Sequence, residues 1–350
     1  MNPRNSRIKT LPESIWSLIN QIDHLKGQWS GGAKLNPQAL GRLKRSVLVT
    51  STGASTRIEG SKLSDEEVEK VMHGLSLQKF ADRDTQEVRG YFELLEHVFD
   101  SWKHIPFTEG VIKQMHRDLL KYAHKDERHR GEYKKMENSV EMLDASGKSV
   151  GTIFETTPAY LTPTRMEELV GWIVNELARE EHHPLLVIGN FLVEFLMIHP
   201  FQDGNGRLSR ILTNLLLLKA GYAYVPYVSH EKLVEDNKTD YYVALRKSQL
   251  TLGTDHEDIA SWLDFFLDIS LTQARQAINL LSRENIEKIL SPKQLAVWRY
   301  LETVVEATAG DIAKVTDVAR PTVSQAIDVL LRLKKIERIG QGRTTRYRKI

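Results

Sequence analysis

The chain contains no cysteine among its 350 residues. Disulfide bonds, a thiolate nucleophile and a cysteine-ligated zinc or iron–sulfur centre are therefore excluded. A long apolar run is also missing, because Glu194 interrupts the most apolar stretch, residues 190–201, which is far shorter than the roughly 20 residues that span a bilayer. Residues 1–16 lack the apolar centre of a signal peptide. We therefore expect a cytoplasmic protein with no membrane partner.

The chain also has little excess of charge of one sign, since 48 basic and 46 acidic residues leave a net charge of +2. This balance excludes a chain that is a polycation for nucleic acid along its whole length. The charge is unevenly spread, however. Residues 291–350 hold twelve basic and six acidic residues, a net +6, which leaves −4 on the rest of the chain. The asymmetry predicts a separate C-terminal domain, with a boundary near Ser291 and Pro292.

Most of the chain before that boundary is predicted to be helical. Apolar residues recur there at helical spacing, for example at Val88, Phe92, Leu95 and Phe99. The exception is residues 136–154, where two strand-like segments flank a polar, glycine-containing turn. The predicted fold class is therefore mostly α-helical, with one small β-hairpin.

Residues 190–221 carry the most informative pattern: an apolar helix, a glycine-rich polar turn and a second apolar helix. Gly204 and Gly206 flank Asn205, and such a turn can aim several backbone N–H groups at one anion. The second helix is predicted to begin at about Arg207, and its N-terminus adds unpaired N–H groups and the positive end of the helix dipole. The segment therefore predicts a phosphate site.

Charged and titratable side chains surround this turn. Arg207 and Arg210 are three residues apart, so they lie on one face of the helix, and their guanidinium groups suit phosphate oxygens. Asp203 offers a hard oxygen ligand of the kind that Mg²⁺ takes. His199, at the end of the first helix, can accept a proton near neutral pH. A base, a metal ligand and an anion site so close together indicate nucleotide-dependent group transfer.

Residues 199–210, HPFQDGNGRLSR, match the Fic motif HxFx(D/E)GNGRxxR at every specified position. The sequence thus resembles the Fic family, over roughly residues 11–277. Fic proteins are mostly protein adenylyltransferases, which move AMP from ATP onto a protein hydroxyl. The resemblance implies the following parts: a helical region at 1–80 with an inhibitory motif, a Fic core at 81–287 with a flap at 136–154 and a catalytic loop at 199–210, and a further domain at 291–350.

The resemblance also implies roles for individual residues. His199 would deprotonate a Ser, Thr or Tyr hydroxyl of a target protein or of the chain itself, and Asp203 would hold Mg²⁺ on the ATP phosphates. The target would dock on the flap by strand addition. The implied phosphate contacts are Gly204, Asn205, Gly206, Arg207 and Arg210. The implied adenine-side residues are Asn237, Tyr241 and Tyr242.

The Fic family also has an inhibitory motif, (S/T)xxxE(G/N), and residues 55–60, STRIEG, match it. The resemblance implies that Ser55 and Glu59 belong to a helix that blocks the site. A Glu59 carboxylate paired with Arg210 would occupy the guanidinium group that the γ-phosphate needs. We therefore expect an autoinhibited enzyme.

The C-terminal residues, 291–350, are predicted to form a winged helix-turn-helix, in which three helices are followed by two strands. Such a domain would contact DNA through its third helix and its wing. The residues at those places are Arg320, Thr322, Ser324 and Gln325 on the helix, and Arg343 and Arg346 on the wing. Many winged helices bind proteins or only dimerise, so a protein contact or a homodimer is the alternative to DNA.

These features together predict an autoinhibited, ATP- and Mg²⁺-dependent protein adenylyltransferase. Two other functions remain: a DNA-binding transcription regulator whose Fic core senses nucleotide, and a hydrolase that removes AMP while Glu59 orients water. Transfer of UMP, phosphocholine or phosphate also stays open, since one sequence does not fix how the nucleotide sits. The target protein is not encoded in any motif of the chain.

Overall fold

A computed structural model describes residues 2–32, 37–73, 82–143, 149–333, 335–340 and 345–350. The predicted fold class is confirmed, since this part of the chain is mostly helical and carries a small antiparallel hairpin. The helices in the described residues are α1 (Pro3–Lys9), α2 (Glu13–Gly32), α3 (Pro37–Ile58), α4 (Asp65–Met72), α5 (Asp82–Ser101), α6 (Glu109–Leu119), α7 (Thr162–Arg179), α8 (Pro184–Ile198), α9 (Asn205–Lys219), α10 (His230–Asp236), α11 (Lys238–Gln249), α12 (Ala260–Ile289), α13 (Pro292–Thr303), α14 (Ala309–Thr316) and α15 (Arg320–Arg332).

The chain divides into two compact units, Met1–Ile278 and Asn279–Ile350, so the division falls within α12. None of the described helices combines the length and the apolar composition that a membrane span requires.

Two helices, α8 and α9, form the centre of the first unit. Almost every residue of both is buried, including Phe191 and Phe195 on α8 and Leu208 and Leu215 on α9. Helices α3, α5, α6 and α7 pack around them. Burying large apolar side chains stabilises a fold by about 1.5–3 kcal/mol each. This burial fixes the ends of α8 and α9, and with them the loop that joins the two helices.

Local sequence signals set where several helices begin. Pro184 opens α8, and the His183 ring accepts a hydrogen bond from the Leu185 N–H at 3.3 Å. Ser64 and Glu67 form both hydrogen bonds of a capping box at the start of α4. Helix α9 begins at Asn205, two residues before the predicted start. Gly204 adopts the left-handed backbone conformation, at φ +80°, and this reverses the chain directly before the helix.

The hairpin of the first unit consists of β1 (Ser139–Leu143) and β2 (Ser149–Glu155), paired antiparallel. Residues 144–148, where the sequence predicted the turn, lie outside the described residues. The register shifts twice, between Val140 and Glu141 and again between Met142 and Leu143. The hairpin is anchored beside the end of α8, since the Thr157 N–H after β2 donates to the Met197 carbonyl at 3.2 Å.

The second unit contains α13, α14 and α15, followed by the antiparallel strands β3 (Ile336–Ile339) and β4 (Arg346–Lys349). This is the predicted order of three helices and two strands. Its core includes Trp298, Ile312 and Leu330, all of them buried. The backbone of Ala307 pairs with that of Tyr347, which ties β4 to the start of α14. Arg343, predicted to lie on the wing, is outside the described residues.

Candidate active site

The loop between α8 and α9 is closed by the side chain of Asn205. Its Oδ1 accepts from the Phe201 N–H at 2.9 Å, and its Nδ2 donates to the Phe201 carbonyl at 2.7 Å. Phe201 itself is fully buried. Asn205 was predicted to line a phosphate nest, and because its side chain closes the loop, its contribution to such a nest would come from the backbone. The groups left to meet a phosphate are backbone N–H groups at the start of α9.

His116 on α6 packs against this loop, and no sequence motif indicated this residue. Its Nε2–H donates to the Asp203 carbonyl at 2.9 Å, while its Nδ1 accepts from the Gly131 N–H at 2.8 Å. The ring also stacks on Phe201, with the two ring centres 3.8 Å apart. Burial lowers the pKa of His116 to about 4, so the ring is neutral at physiological pH. The neutral form is the one that both hydrogen bonds require.

His199 ends α8 in the left-handed backbone region, at φ +51°. Its Nδ1–H donates to the Leu196 carbonyl at 3.3 Å, which leaves Nε2 with a free lone pair. Burial lowers the pKa of His199 to about 4, against the opposing effects of that hydrogen bond and of nearby carboxylates. The ring is therefore neutral near pH 7 and can accept a proton at Nε2.

Asp203 lies among positive groups. Its Oδ2 contacts Arg83 Nη2 at 3.0 Å and Arg207 Nη2 at 3.1 Å, and its Oδ1 accepts from the Gly204 N–H at 2.6 Å. Burial opposes ionisation, but these groups outweigh it and lower the pKa of Asp203. The side chain is 35% exposed, so a carboxylate oxygen can reach a ligand in the loop. The described residues contain no cluster of three histidines and carboxylates that could hold a metal ion, so an ion bound at Asp203 would take most of its ligands from phosphate and water.

Arg207 is almost completely buried, and two carboxylates neutralise it. Besides Asp203, its partner is Glu87 on α5, with Nη1 and Oε2 2.7 Å apart. Sequence spacing places Arg207 near the turn, but it gives no sign of Glu87 or of Arg83, which come more than a hundred residues earlier. These two residues also pair with each other, at 2.8 Å.

Arg210 points to α3 and is held there by three hydrogen bonds. Its Nε donates to Ser55 Oγ at 2.8 Å, and its Nη2 donates to the Ser55 carbonyl at 3.0 Å and to Glu59 Oε1 at 2.7 Å. Glu59 also lies against the start of α9, because a Cβ placed on Gly206 would come within 2.2 Å of Glu59 Oε1. The two residues predicted to inhibit the site therefore do contact Arg210, and the Glu59 carboxylate occupies the anion-attracting end of α9.

Known proteins resemble this chain in sequence and in fold. Residues 106–217 match the Fic/DOC family. The chain carries a Fic domain. A probable protein adenylyltransferase from Aquifex aeolicus is 24% identical over 259 residues, which cover 70% of this chain and 73% of that protein.

Two further similarities extend beyond the Fic domain. A protein adenylyltransferase from Caenorhabditis briggsae is 24% identical over 71% of this chain, which spans only 44% of the nematode protein. The crystal structure of a Fic family protein from Desulfovibrio desulfuricans G20 superposes with a TM-score of 0.63 and 25% identity, and the likeness covers 97% of each chain. Residues in both compact units are therefore part of the shared fold.

The segment that brings Glu59 to the Fic domain lies outside residues 106–217, and additional contacts hold it. Arg57 makes two hydrogen bonds to the Glu235 carboxylate, at 2.6 and 3.1 Å, and an ion pair with Asp65 at 2.9 Å. Lys238 Nζ donates to the carbonyl of Ile58 at 2.7 Å. These contacts fix the end of α3, and so they fix the position of the residue that follows it.

The three predicted adenine-side residues are placed differently from one another. Asn237 is exposed between α10 and α11, and its Nδ2 donates to the Leu233 carbonyl at 2.9 Å. Tyr241 is buried, and its ring lies edge-on to Trp262 and Phe265, both at 5.8 Å between ring centres. Tyr242 is only partly buried. In this structure Asn237 and Tyr242 are accessible to a ligand, whereas the Tyr241 ring belongs to the core.

A pH dependence of stability follows from three histidines with pKa values lowered to about 4 by burial: His116, His199 and His230. The unfolded chain takes up protons at these residues near pH 6.5, whereas the folded chain does so only near pH 4. The free energy of unfolding should therefore fall as the pH is lowered from about 6.5 to 4, by up to about 1.4 kcal/mol per pH unit for each histidine. Urea denaturation across this range measures the slope.

His230 gives the cleanest test, because neither of its ring nitrogens has a hydrogen-bond partner among the described residues. His230→Leu should reduce that slope by up to about 1.4 kcal/mol per pH unit and leave the free energy of unfolding at pH 7 nearly unchanged. His256→Leu, at an exposed position, is the matched control. An unchanged slope in His230→Leu would show that His230 is not buried in its neutral form.

Proposed function

We propose that this chain is a protein adenylyltransferase, which transfers AMP from ATP to a Ser, Thr or Tyr hydroxyl of a protein. One observation carries the proposal: a neutral histidine with a free Nε2 lies four residues before a carboxylate and six residues before an anion-attracting helix terminus. The names of the relatives in Aquifex and Caenorhabditis support the same activity. Pyrophosphate is the other product.

In the proposed reaction, residues of this loop act both on the target hydroxyl and on the phosphates of ATP. Nε2 of His199 accepts the proton of the target hydroxyl, and the hydroxyl oxygen forms a bond to the α-phosphorus of ATP as the bond to pyrophosphate breaks. Backbone N–H groups at the start of α9 and the guanidinium groups of Arg207 and Arg210 bind the phosphate oxygens. Mg²⁺, held by Asp203 together with the phosphates, would neutralise charge on the leaving group.

Labelled ATP tests the reaction directly. Label on the α-phosphate should appear in protein, either in the chain itself or in a lysate protein, whereas label on the γ-phosphate should not. His199→Ala should reduce this transfer by 10²–10⁴-fold or more, because it removes the general base, and should leave ATP binding largely intact. Gel autoradiography measures transfer and calorimetry measures binding.

Incorporation of label from the γ-phosphate would indicate phosphate transfer, and incorporation from α-labelled UTP alone would indicate UMP transfer. A folded His199→Ala protein that transfers AMP at the wild-type rate would falsify the base assignment.

We also propose that Glu59 inhibits the enzyme. Support comes from its ion pair with Arg210 at 2.7 Å and from its carboxylate against Gly206. The best geometry of a guanidinium group serves one carboxylate or phosphate at a time. With Glu59 in place, a γ-phosphate has to compete for Arg210, and the triphosphate is held out of line for attack.

Glu59→Gly should therefore raise AMP transfer, by on the order of 10²-fold, since a misplacement of about 1 Å costs that much in rate. The measurement is the initial rate of self-modification and of lysate labelling. Glu66→Ala removes an exposed carboxylate on α4 and should have no effect. The gain should disappear in the Glu59→Gly, His199→Ala double variant.

A Glu59→Gly protein that binds ATP yet labels no protein faster than the wild type would contradict the inhibitory role. If the wild type removes AMP from the labelled product and Glu59→Gly does not, the Glu59 carboxylate acts in hydrolysis instead.

A second proposed activity, DNA binding, concerns the second compact unit. Helix α15 buries Val323, Ile327 and Leu330 on one face and exposes Ser324 and Gln325 on another. Such a two-sided helix with exposed polar side chains suits a DNA major groove. On β4, in contrast, Arg346 is ion-paired with Glu306, so a phosphate would have to displace that carboxylate.

The full chain should shift duplex DNA in a gel, with affinity that falls steeply as salt rises. Arg320→Ala, at the exposed start of α15, should weaken binding, and Arg165→Ala, exposed on α7, should not. If the full chain binds no duplex even at low salt, the second unit instead contacts a protein or another copy of the chain.

A further inference from the structure

Lys134 lies between α6 and β1, and its ammonium group is buried at the base of the hairpin. Nζ donates to Asn138 Oδ1 at 2.8 Å, to Thr156 Oγ1 at 2.7 Å and to the Ile198 carbonyl at 3.1 Å. The residue is only 3% exposed. The three N–H groups of an ammonium are thus matched by three acceptors, which is full satisfaction of its donors.

All three acceptors are uncharged, which makes this lysine unusual. A buried ammonium loses its hydration, and an ion pair is the common compensation for that cost. Burial lowers the pKa of Lys134 to about 8, while the charge of Glu137 opposes that change. An apolar or neutral side chain would avoid the cost of burying a charge, so stability alone is a poor explanation for lysine here.

The three acceptors belong to two parts of the molecule, the β1–β2 hairpin and the end of α8. Asn138 precedes β1 and Thr156 follows β2, so both lie where the hairpin is attached. Ile198 is the residue before His199, and its carbonyl belongs to the last turn of α8. The Lys134 backbone N–H also donates to the Pro200 carbonyl at 2.9 Å, directly after His199.

A second set of hydrogen bonds connects the hairpin to the loop after α8. Asn138 Nδ2 donates to the Phe201 carbonyl at 3.0 Å, and the Thr156 hydroxyl donates to an Asn138 oxygen at 2.7 Å. Lys134 therefore contacts the backbone on both sides of His199 and both ends of the hairpin.

We propose that Lys134 is a positioning residue for group transfer: it holds His199 and the β1–β2 hairpin in one fixed arrangement, so that a hydroxyl presented by the hairpin meets Nε2 of His199. This inference rests on the proposed function for the reaction it serves. The positioning itself is a property of the folded chain and can be measured without any turnover.

The charge of Lys134 gives a direct probe of the contact. After burial and the Leu196 hydrogen bond, the charges that act on the pKa of His199 are Lys134, which lowers it, and Glu59 and Asp203, which raise it. Removing the ammonium should therefore raise the pKa of His199. Exposure of the ring through lost packing would raise it as well, so Lys134→Arg, which keeps the charge, is the control for packing changes at this position. A side chain with a positive charge at the same place should keep the pKa low.

The experiment compares Lys134→Met with Lys134→Arg and with Lys135→Met, a matched control at the exposed neighbouring residue. Histidine ring resonances are titrated by NMR in each protein, and the His199 signal is assigned as the one that His199→Ala lacks. The pKa of His199 should rise by on the order of one unit in Lys134→Met and stay at the wild-type value in the other two. Lys134→Gln, which keeps a donor for Ile198, is titrated in the same way if Lys134→Met does not fold.

Kinetics in the Glu59→Gly background give the second readout. The single-turnover rate of self-modification with ATP should fall about 10²-fold in Lys134→Met, with the dissociation constant of ATP unchanged. An unchanged pKa of His199 together with an unchanged rate would overturn the proposal. A lower melting temperature with the wild-type rate would also overturn it, since Lys134 would then be only structural. If no variant transfers AMP, the proposed function fails while the titration still decides whether Lys134 acts on His199.

Discussion

The two hydrogen bonds between the Asn205 side chain and the Phe201 backbone close the loop between α8 and α9. They close the turn between two helices that are buried almost throughout, and they leave the start of α9 free of any side-chain cap. Stacking of Phe201 on His116 then ties the closed loop to α6. The closed loop places His199 and Asp203 ahead of the start of α9, and the proposed function requires such a preorganised arrangement.

The charges around this loop are balanced before any substrate arrives. Arg207 is neutralised by Glu87 and Asp203, and Arg210 by Glu59. A phosphate that binds Arg207 or Arg210 therefore has to compete with carboxylates that are already paired with these side chains. Under the proposed function, this competition would make the free energy of ATP binding depend on how firmly Glu59 is held at the end of α3.

The end of α3 is held by residues that have no part in the loop. Arg57 pairs with Glu235, and Lys238 binds the carbonyl of Ile58, so the position of Glu59 depends on α10 and α11. Similarly, Lys134 connects the hairpin to the last turn of α8. The site is therefore built from one short loop, but its geometry is set by contacts from segments on both sides of it in the chain.

The sequence alone determined the helical fold class, the hairpin and the Fic motif, because these follow from periodicity, turn residues and the spacing of the motif. The partnership of Glu59 with Arg210 was implied by the resemblance to the Fic family's inhibitory motif. The sequence did not indicate His116 or Lys134, whose loop partners lie 87 and 64 residues away. It also placed Asn205 in the phosphate nest without indicating that the Asn205 side chain closes the loop. Only the tertiary structure decided these points, since a buried polar group bonds to whichever partner the packing of helices brings near, and that partner's distance along the chain leaves no local pattern.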